Sequence, residues 1–272
     1  MVLLRARSIW TQCALTVRSM VRSTDMIGNK FFLGFVLLRE AEWDQEAFFG
    51  RLKDKWGIVP EDLDTKDEEK IFVFNTGGYL VSLAFYPSPI PDGEAEQNAA
   101  FNYLWHDAQQ EVSKHTAQIV VSVGNGMDTM ERAKIFVKVC ESCIDDNTIG
   151  IYTNGTVYAP DFYQKNAEVM KSDALPLLDF VWLGLSNAEG KLRGYTMGME
   201  NFKKLEMEFL EFAGQPHEFL SFMLAIVSYV IEEDVILNDG ETIGFTEDQK
   251  LKITISDGIE FDDRKTIQIH CN

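Results

Sequence analysis

The chain has 272 residues, is 46% hydrophobic and 12% aromatic, and carries a formal net charge of −18. Such an acidic excess repels phosphate backbones and anionic lipid surfaces, so nucleic acid and membranes are excluded as expected partners and a basic protein is favoured. Four cysteines, Cys13, Cys140, Cys143 and Cys271, are too few for a disulfide scaffold, and a reducing cytoplasmic setting is expected.

Residues 1–26 differ from the rest. They hold Arg5, Arg7, Arg18 and Arg22 against Asp25 alone. They read as an extension outside the domain, either a mis-called start with Met26 as the true first residue or a leader. The first domain element is Phe31 to Leu38, a continuous apolar run expected to form a central strand covered on both faces. Asp44 is placed to cap a helix that carries Phe48, Leu52 and Trp56 on one stripe and ends at Gly57. Residues 60–70 read as an acidic loop. A hairpin follows, Ile71 to Phe74 and Tyr79 to Tyr86, turning at Asn75–Gly78. After three prolines between Pro87 and Asp92, a long helix is expected from Gly93 to about His115, then a strand from Ile119 to Val123. Strand, helix, hairpin, helix, strand is the order of a ferredoxin-like, split βαβ unit.

Asp128 caps the next predicted helix, whose inward face holds Ala133, Phe136, Val137, Val139 and Cys140. Ile149 to Tyr152 is a short strand leading into the turn Thr153-Asn154-Gly155, and residues 160–171 read as helix. Beyond Pro176 a hairpin is expected from Phe180 to Met197. Residues 205–212 alternate apolar and acidic, which favours a strand. The apolar stretch from Phe219 to Ile231 is too short and too interrupted to span a bilayer and reads as part of a buried helix over 216–233. Short strands near 241–245, 250–256 and 265–270 complete the chain. The expected organisation is α+β throughout: a ferredoxin-like subdomain over 27–174, and a second subdomain over 175–272 with a mostly antiparallel sheet covered by one long helix.

Recognisable chemistry is sparse. Cys140-Glu141-Ser142-Cys143 has redox spacing but falls at a helix C-terminus, where the dipole disfavours thiolate, so it reads as packing. No second Cys pair completes a zinc site. The phosphate-loop, dinucleotide, hydrolase, zincin and kinase motifs are missing, so no cofactor or metal is expected and no catalytic residue is named. A polar pocket could form from Glu94, Asn98, Asn102 and His106 with the turn Thr153, Asn154 and Gly155, although Glu94 and His106 lie about 18 Å apart along an ideal helix. The competing reading is structural: Asp92 caps a helix whose positive end the glutamates favour.

Four strings, FFLGFVLLREAEWDQE, PSPIPDGEAEQNAAFNYLW, GIYTNGTVYAPDFY and LNDGETIGFTEDQKLKITIS, together resemble the bacterial family of domain of unknown function 4261, over about residues 30–270. That resemblance implies a bacterial cytoplasmic setting and supports Met26 as the start, and it brings no activity or site residues. Two functions follow as expectations. One is a non-enzymatic interaction, regulatory or immunity-type module that binds a basic partner. The other is a small-molecule binder or enzyme with its pocket between the subdomains.

Overall fold

The computed structural model describes residues 31–66, 70–188, 190–246 and 249–271. The extension expected over residues 1–26, with Cys13, lies outside them. The chain divides into two compact units between Asp179 and Phe180.

The first unit opens with β1 (Phe32–Leu38). α1 (Gln45–Trp56) starts where the Asp44 carboxylate accepts the Ala47 N–H at 2.9 Å, and ends where Gly57, at φ 67°, donates to Lys53 O at 2.8 Å. The residues expected as a loop instead supply β2 (Glu61–Lys66), which pairs with β3 (Ile71–Thr76). β2 is an edge strand rich in charge, a composition that discourages further strand pairing. β3 turns through Gly77 and Gly78, both at positive φ, into β4 (Tyr79–Tyr86). Two successive left-handed residues are what a tight hairpin turn demands.

The expected long helix after β4 is broken. α2 (Glu94–Ala99) and α3 (Ala108–Val112) flank an irregular stretch, and β5 (Ala117–Asn125) follows. α4 (Thr129–Cys143), β6 (Thr148–Thr153), β7 (Thr156–Tyr158) and α5 (Pro160–Ala167) come next. A 3-10 turn over Glu168–Ser172 and the single-turn α6 (Leu177–Phe180) complete the series.

The sheet order is β2-β3-β4-β5-β1-β6-β7, with neighbouring strands antiparallel throughout. This departs from the ferredoxin-like order, in which the first strand lies beside the second strand of the hairpin. Here β5 is inserted between β4 and β1 and pairs with β4 from Tyr79↔Asn125 to Tyr86↔Gln118. The physical reason is the connection. Two short helices fold back over the sheet and return the chain beside the strand it left, instead of carrying it past β1.

β1 is central, as its unbroken apolar run requires. Phe35 and Leu37 face a core shared with Ala95, Ala99, Ala108 and Val112 of the two short helices. Phe32 faces the other way, with its ring 5.8 Å from that of Phe136 on α4.

The second unit has the sheet order β11-β12-β13-β10-β9-β8. In chain order these are β8 (Trp182–Ala188), β9 (Lys191–Met197), β10 (Met207–Phe212), then α7 (Pro216–Glu232), β11 (Thr242–Ile243), β12 (Leu251–Asp257) and β13 (Lys265–His270). Only the β10–β13 pair is parallel among those the described residues form. A capping box between Gln215 and Glu218 starts α7. Its Phe219 meets Phe209 edge-on at 6.3 Å and stacks on Phe212 at 4.6 Å.

Candidate functional site

The loop joining β1 to α1 is held from two sides. Thr116 donates its N–H to Leu38 O and its hydroxyl to Arg39 O, at 2.9 and 2.8 Å. Asn147, in the turn between α4 and β6, supplies the other side. Its backbone carbonyl accepts from Arg39 N at 2.9 Å, its Oδ1 accepts from Glu40 N at 2.8 Å, and its Nδ2 donates to Glu40 O and Glu42 O at 3.1 and 2.9 Å. Asp145 shapes the turn by accepting the Asn147 N–H at 3.0 Å.

This clamp fixes a ledge of carboxylates. A cleft of about 540 Å³ is lined by Glu40, Glu42, Asp44, Asp145 and Asp146, with Asn147, Trp43 and a single cation, Arg39. Trp43 forms the apolar wall, its ring 5.4 Å from Phe72 and 5.7 Å from Phe48. A ledge with five carboxylates, one arginine and an aromatic wall suits an ammonium or guanidinium group, which gains from both charge and ring. Among the described residues no three His, Cys, Asp or Glu side chains are grouped to hold a metal ion.

The residues singled out in the sequence are placed as follows. Glu94 and Asn98 meet at Tyr152: Tyr152 Oη donates to Glu94 Oε1 at 2.7 Å, and Asn98 Nδ2 lies 3.2 Å from the same hydroxyl and 2.8 Å from Glu94 O. Burial pushes the Glu94 carboxyl up, against the Tyr152 hydrogen bond that pulls it down. Asn102 lies beyond the end of α2; its Nδ2 donates to Val157 O at 2.8 Å and its Oδ1 accepts Leu104 N–H at 2.9 Å. Thr153 turns to β1, donating to Leu33 O at 3.1 Å. Asn154 and Gly155 form the β6–β7 turn with φ of 50° and 68°. His106 stands in solvent, its side chain 99% exposed. Glu94, Asn98 and Asn102 thus approach the β6–β7 hairpin together, and His106 does not join them.

His115 is buried, with Nδ1 2.6 Å from Val112 O and Nε2 accepting Ile90 N–H at 2.9 Å, so it anchors the proline segment. Cys140 and Cys143 are free, fully buried thiols on the last turn of α4, and burial pushes both well above the ordinary range.

Two features escaped the sequence reading. The ledge combines Glu40, Glu42 and Asp44 with residues a hundred positions away, and its local sign was only the alternation of acids in REAEWD. The second is at the start of β10, where two acids of the alternating segment are buried. Glu206 and Glu208 are 3% and 0% exposed. Glu208 accepts the N–H groups of Ile259 and Glu260 at 2.8 and 2.6 Å, the Thr266 hydroxyl at 2.8 Å and Gln268 Nε2 at 3.2 Å.

Compared with known families, residues 195–270 match the model of a domain of unknown function, DUF4261. The matched segment runs from β9 to the end of β13 and includes both buried glutamates. No curated protein and no solved structure matches the chain.

Proposed function

We propose that the protein is a non-enzymatic binding module whose carboxylate ledge receives a basic segment of a protein partner. The observation that carries this reading is the convergence of Glu40, Glu42, Asp44, Asp145 and Asp146 around one cleft on backbone that Asn147 holds in place. Pre-organised charge of one sign binds without the entropic cost of ordering a loop, and the chain's net charge of −18 steers a cationic partner toward it. The Trp43 wall adds an aromatic contact for a Lys or Arg side chain.

The test is capture of partners by the tagged full-length chain at about 0.1 M and about 1 M salt, where electrostatic screening lengths are about 10 Å and 3 Å. The same capture is run with Glu40→Lys, Glu42→Lys and Asp146→Lys combined. A basic protein retained only at low salt, and lost from the triple variant, supports the reading. Partners that ignore both salt and the variant remove it.

A second reading places a small-molecule site at Glu94 and Asn98. It is favoured by one feature, a buried carboxyl with a raised pKa in contact with a tyrosine hydroxyl, since such perturbed groups concentrate at functional sites. Ligand binding abolished by Glu94→Gln with an unchanged melting temperature would favour it.

A further inference from the structure

We propose that Asp179 is a proton-held latch: its carboxylic acid form seats α6 in the first unit, and loss of the proton as pH rises releases that turn. With four residues, α6 is too short to sustain a helix by itself, so what surrounds it must hold it. Asp179 is 1% exposed. Its backbone carbonyl accepts from Asn154 Nδ2 at 3.2 Å, and its N–H donates to Pro176 O at 2.9 Å. The carboxyl group is carried inward with the turn, and neither Oδ1 nor Oδ2 has a hydrogen-bond partner among the described residues.

The groups that face the carboxyl are uncharged at neutral pH. They are the Asn166 amide and the Tyr163 hydroxyl of α5, the Tyr158 hydroxyl of β7 and the Cys140 thiol of α4. Asn166 Nδ2 is itself buried and stands outside hydrogen-bond geometry. Tyr158, Tyr163 and Cys140 are buried, and burial pushes all three up, so none of them supplies a charge. Among the described residues no Lys, Arg or His is paired with Asp179, and burial pushes its carboxyl well above the ordinary range.

A buried carboxylate with no cation beside it is far costlier than the neutral acid, so the proton stays while α6 is seated. When α6 lifts, water reaches Asp179 and the carboxyl returns to its ordinary value of about 3.9. Below that value both forms hold the proton and the seat is firmest. Above it the open form releases its proton and the seated form does not, so the balance moves toward the open form as pH rises. The movement stops where the seated carboxyl itself ionises. The chain passes from the first unit to the second between Asp179 and Phe180, so the turn released is the one that leads from one unit into the other. The inference is independent of the basic-partner reading, because the ledge residues take no part in it.

The experiment is hydrogen exchange of the α6 amides in the full chain, followed by NMR between about pH 5 and 8 in the parent and in Asp179→Asn. The variant keeps the shape of the neutral acid and has no proton to lose. After correction for the intrinsic rise of exchange with pH, the ratio of opening constants, parent over variant, should grow about tenfold per pH unit until it levels off. In the unmodified protein the carboxyl carbon of Asp179 should still resonate at its protonated position at about pH 5.5, more than one unit above the ordinary value. That measurement needs no variant to fold. A ratio that does not change with pH, or an Asp179 carboxyl already ionised at about pH 5.5, would each overturn the proposal.

Discussion

Thr196 and Glu206 are joined inside the second unit by a hydrogen bond of 2.7 Å, from Oγ1 to Oε2, while the same Thr196 oxygen accepts the Met207 N–H at 2.8 Å. The other carboxylate oxygen accepts Gly198 N–H at 2.8 Å and Glu200 N–H at 3.4 Å. These donors do not offset the loss of water, and burial pushes the Glu206 carboxyl up to about 7.

A pH dependence follows. Below about 4.5 the carboxyl is protonated in both folded and unfolded chains and contributes nothing. Between about 4.5 and 7 the folded chain holds a proton that the unfolded chain has released, so stability falls as pH rises. Above 7 the penalty is complete, about 3 kcal/mol from a shift worth about 1.4 kcal/mol per pH unit. Glu206→Gln keeps an oxygen for the two backbone N–H groups and offers an amide to Thr196. The difference in stability between variant and parent, followed by melting from pH 4.5 to 8, should grow with pH and level off above 7. A flat difference would show that Glu206 titrates in the ordinary carboxyl range.

Glu208 is also buried, and its carboxyl oxygens accept four hydrogen-bond donors. Glu208→Ala strands the Ile259 and Glu260 N–H groups, the Thr266 hydroxyl and the Gln268 amide together. With about 1–3 kcal/mol at stake for each buried donor and partial rescue by water, a loss of about 3 kcal/mol is expected in urea unfolding. Glu208→Gln should cost less, because one oxygen survives. A loss under about 0.5 kcal/mol for the alanine variant would mean that the β12–β13 loop repairs itself.

What the sequence made legible follows periodicity and turn chemistry. FFLGFVLL could only be a strand covered on both faces, Gly77-Gly78 and Asn154-Gly155 could only be tight turns, and Phe219 to Ile231 had to be buried in a helix. What it concealed depends on pairing and burial set by distant residues. EDLDTK has no strand propensity, and it becomes β2 because β3 offers an open edge. The segment after the prolines has helical composition, and Asn102 breaks it by bonding to Val157 O across the fold. The acids at 206 and 208 alternate as a solvent-facing strand would, yet Thr196, Thr266 and Gln268 bury them with hydrogen bonds. The ledge was invisible for the same reason, since Asn147 and Glu40 meet only once β6 lies beside β1.

Two glycines separate packing from propensity. A Cβ added at Gly34 on β1 would stand 2.8 Å from Phe136 Cζ, inside contact distance of a buried ring. Gly34→Ala should therefore destabilise by about 1–3 kcal/mol. Gly50, in the middle of α1, has nothing within 4 Å of the same position. Gly50→Ala should stabilise by about 0.5–1 kcal/mol through helix propensity alone. A denaturation midpoint of Gly34→Ala at or above that of the parent would contradict the packing of α4 on β1, and a lowered midpoint of Gly50→Ala would contradict the open space at that position.

Asn147 is the residue on which the ledge depends, and its variants separate shape from charge. Asn147→Ala removes three side-chain hydrogen bonds to Glu40 and Glu42 without altering the net charge. At about 1 kcal/mol for each bond, partly restored by water at an exposed site, a stability loss of about 1–2 kcal/mol is expected. The amide of Glu40 should exchange with solvent faster, because its acceptor is gone. Asn147→Asp is nearly isosteric but turns a carboxylate oxygen toward Glu40 O and Glu42 O, where Nδ2 now donates, and places a further negative charge beside five others. It should destabilise more than alanine does, and the excess should shrink as salt is raised. If the ledge binds its basic partner through fixed geometry, Asn147→Ala weakens capture although every carboxylate remains. Capture by Asn147→Ala at full strength, with Glu40 exchange accelerated, would show that the carboxylates act through charge alone.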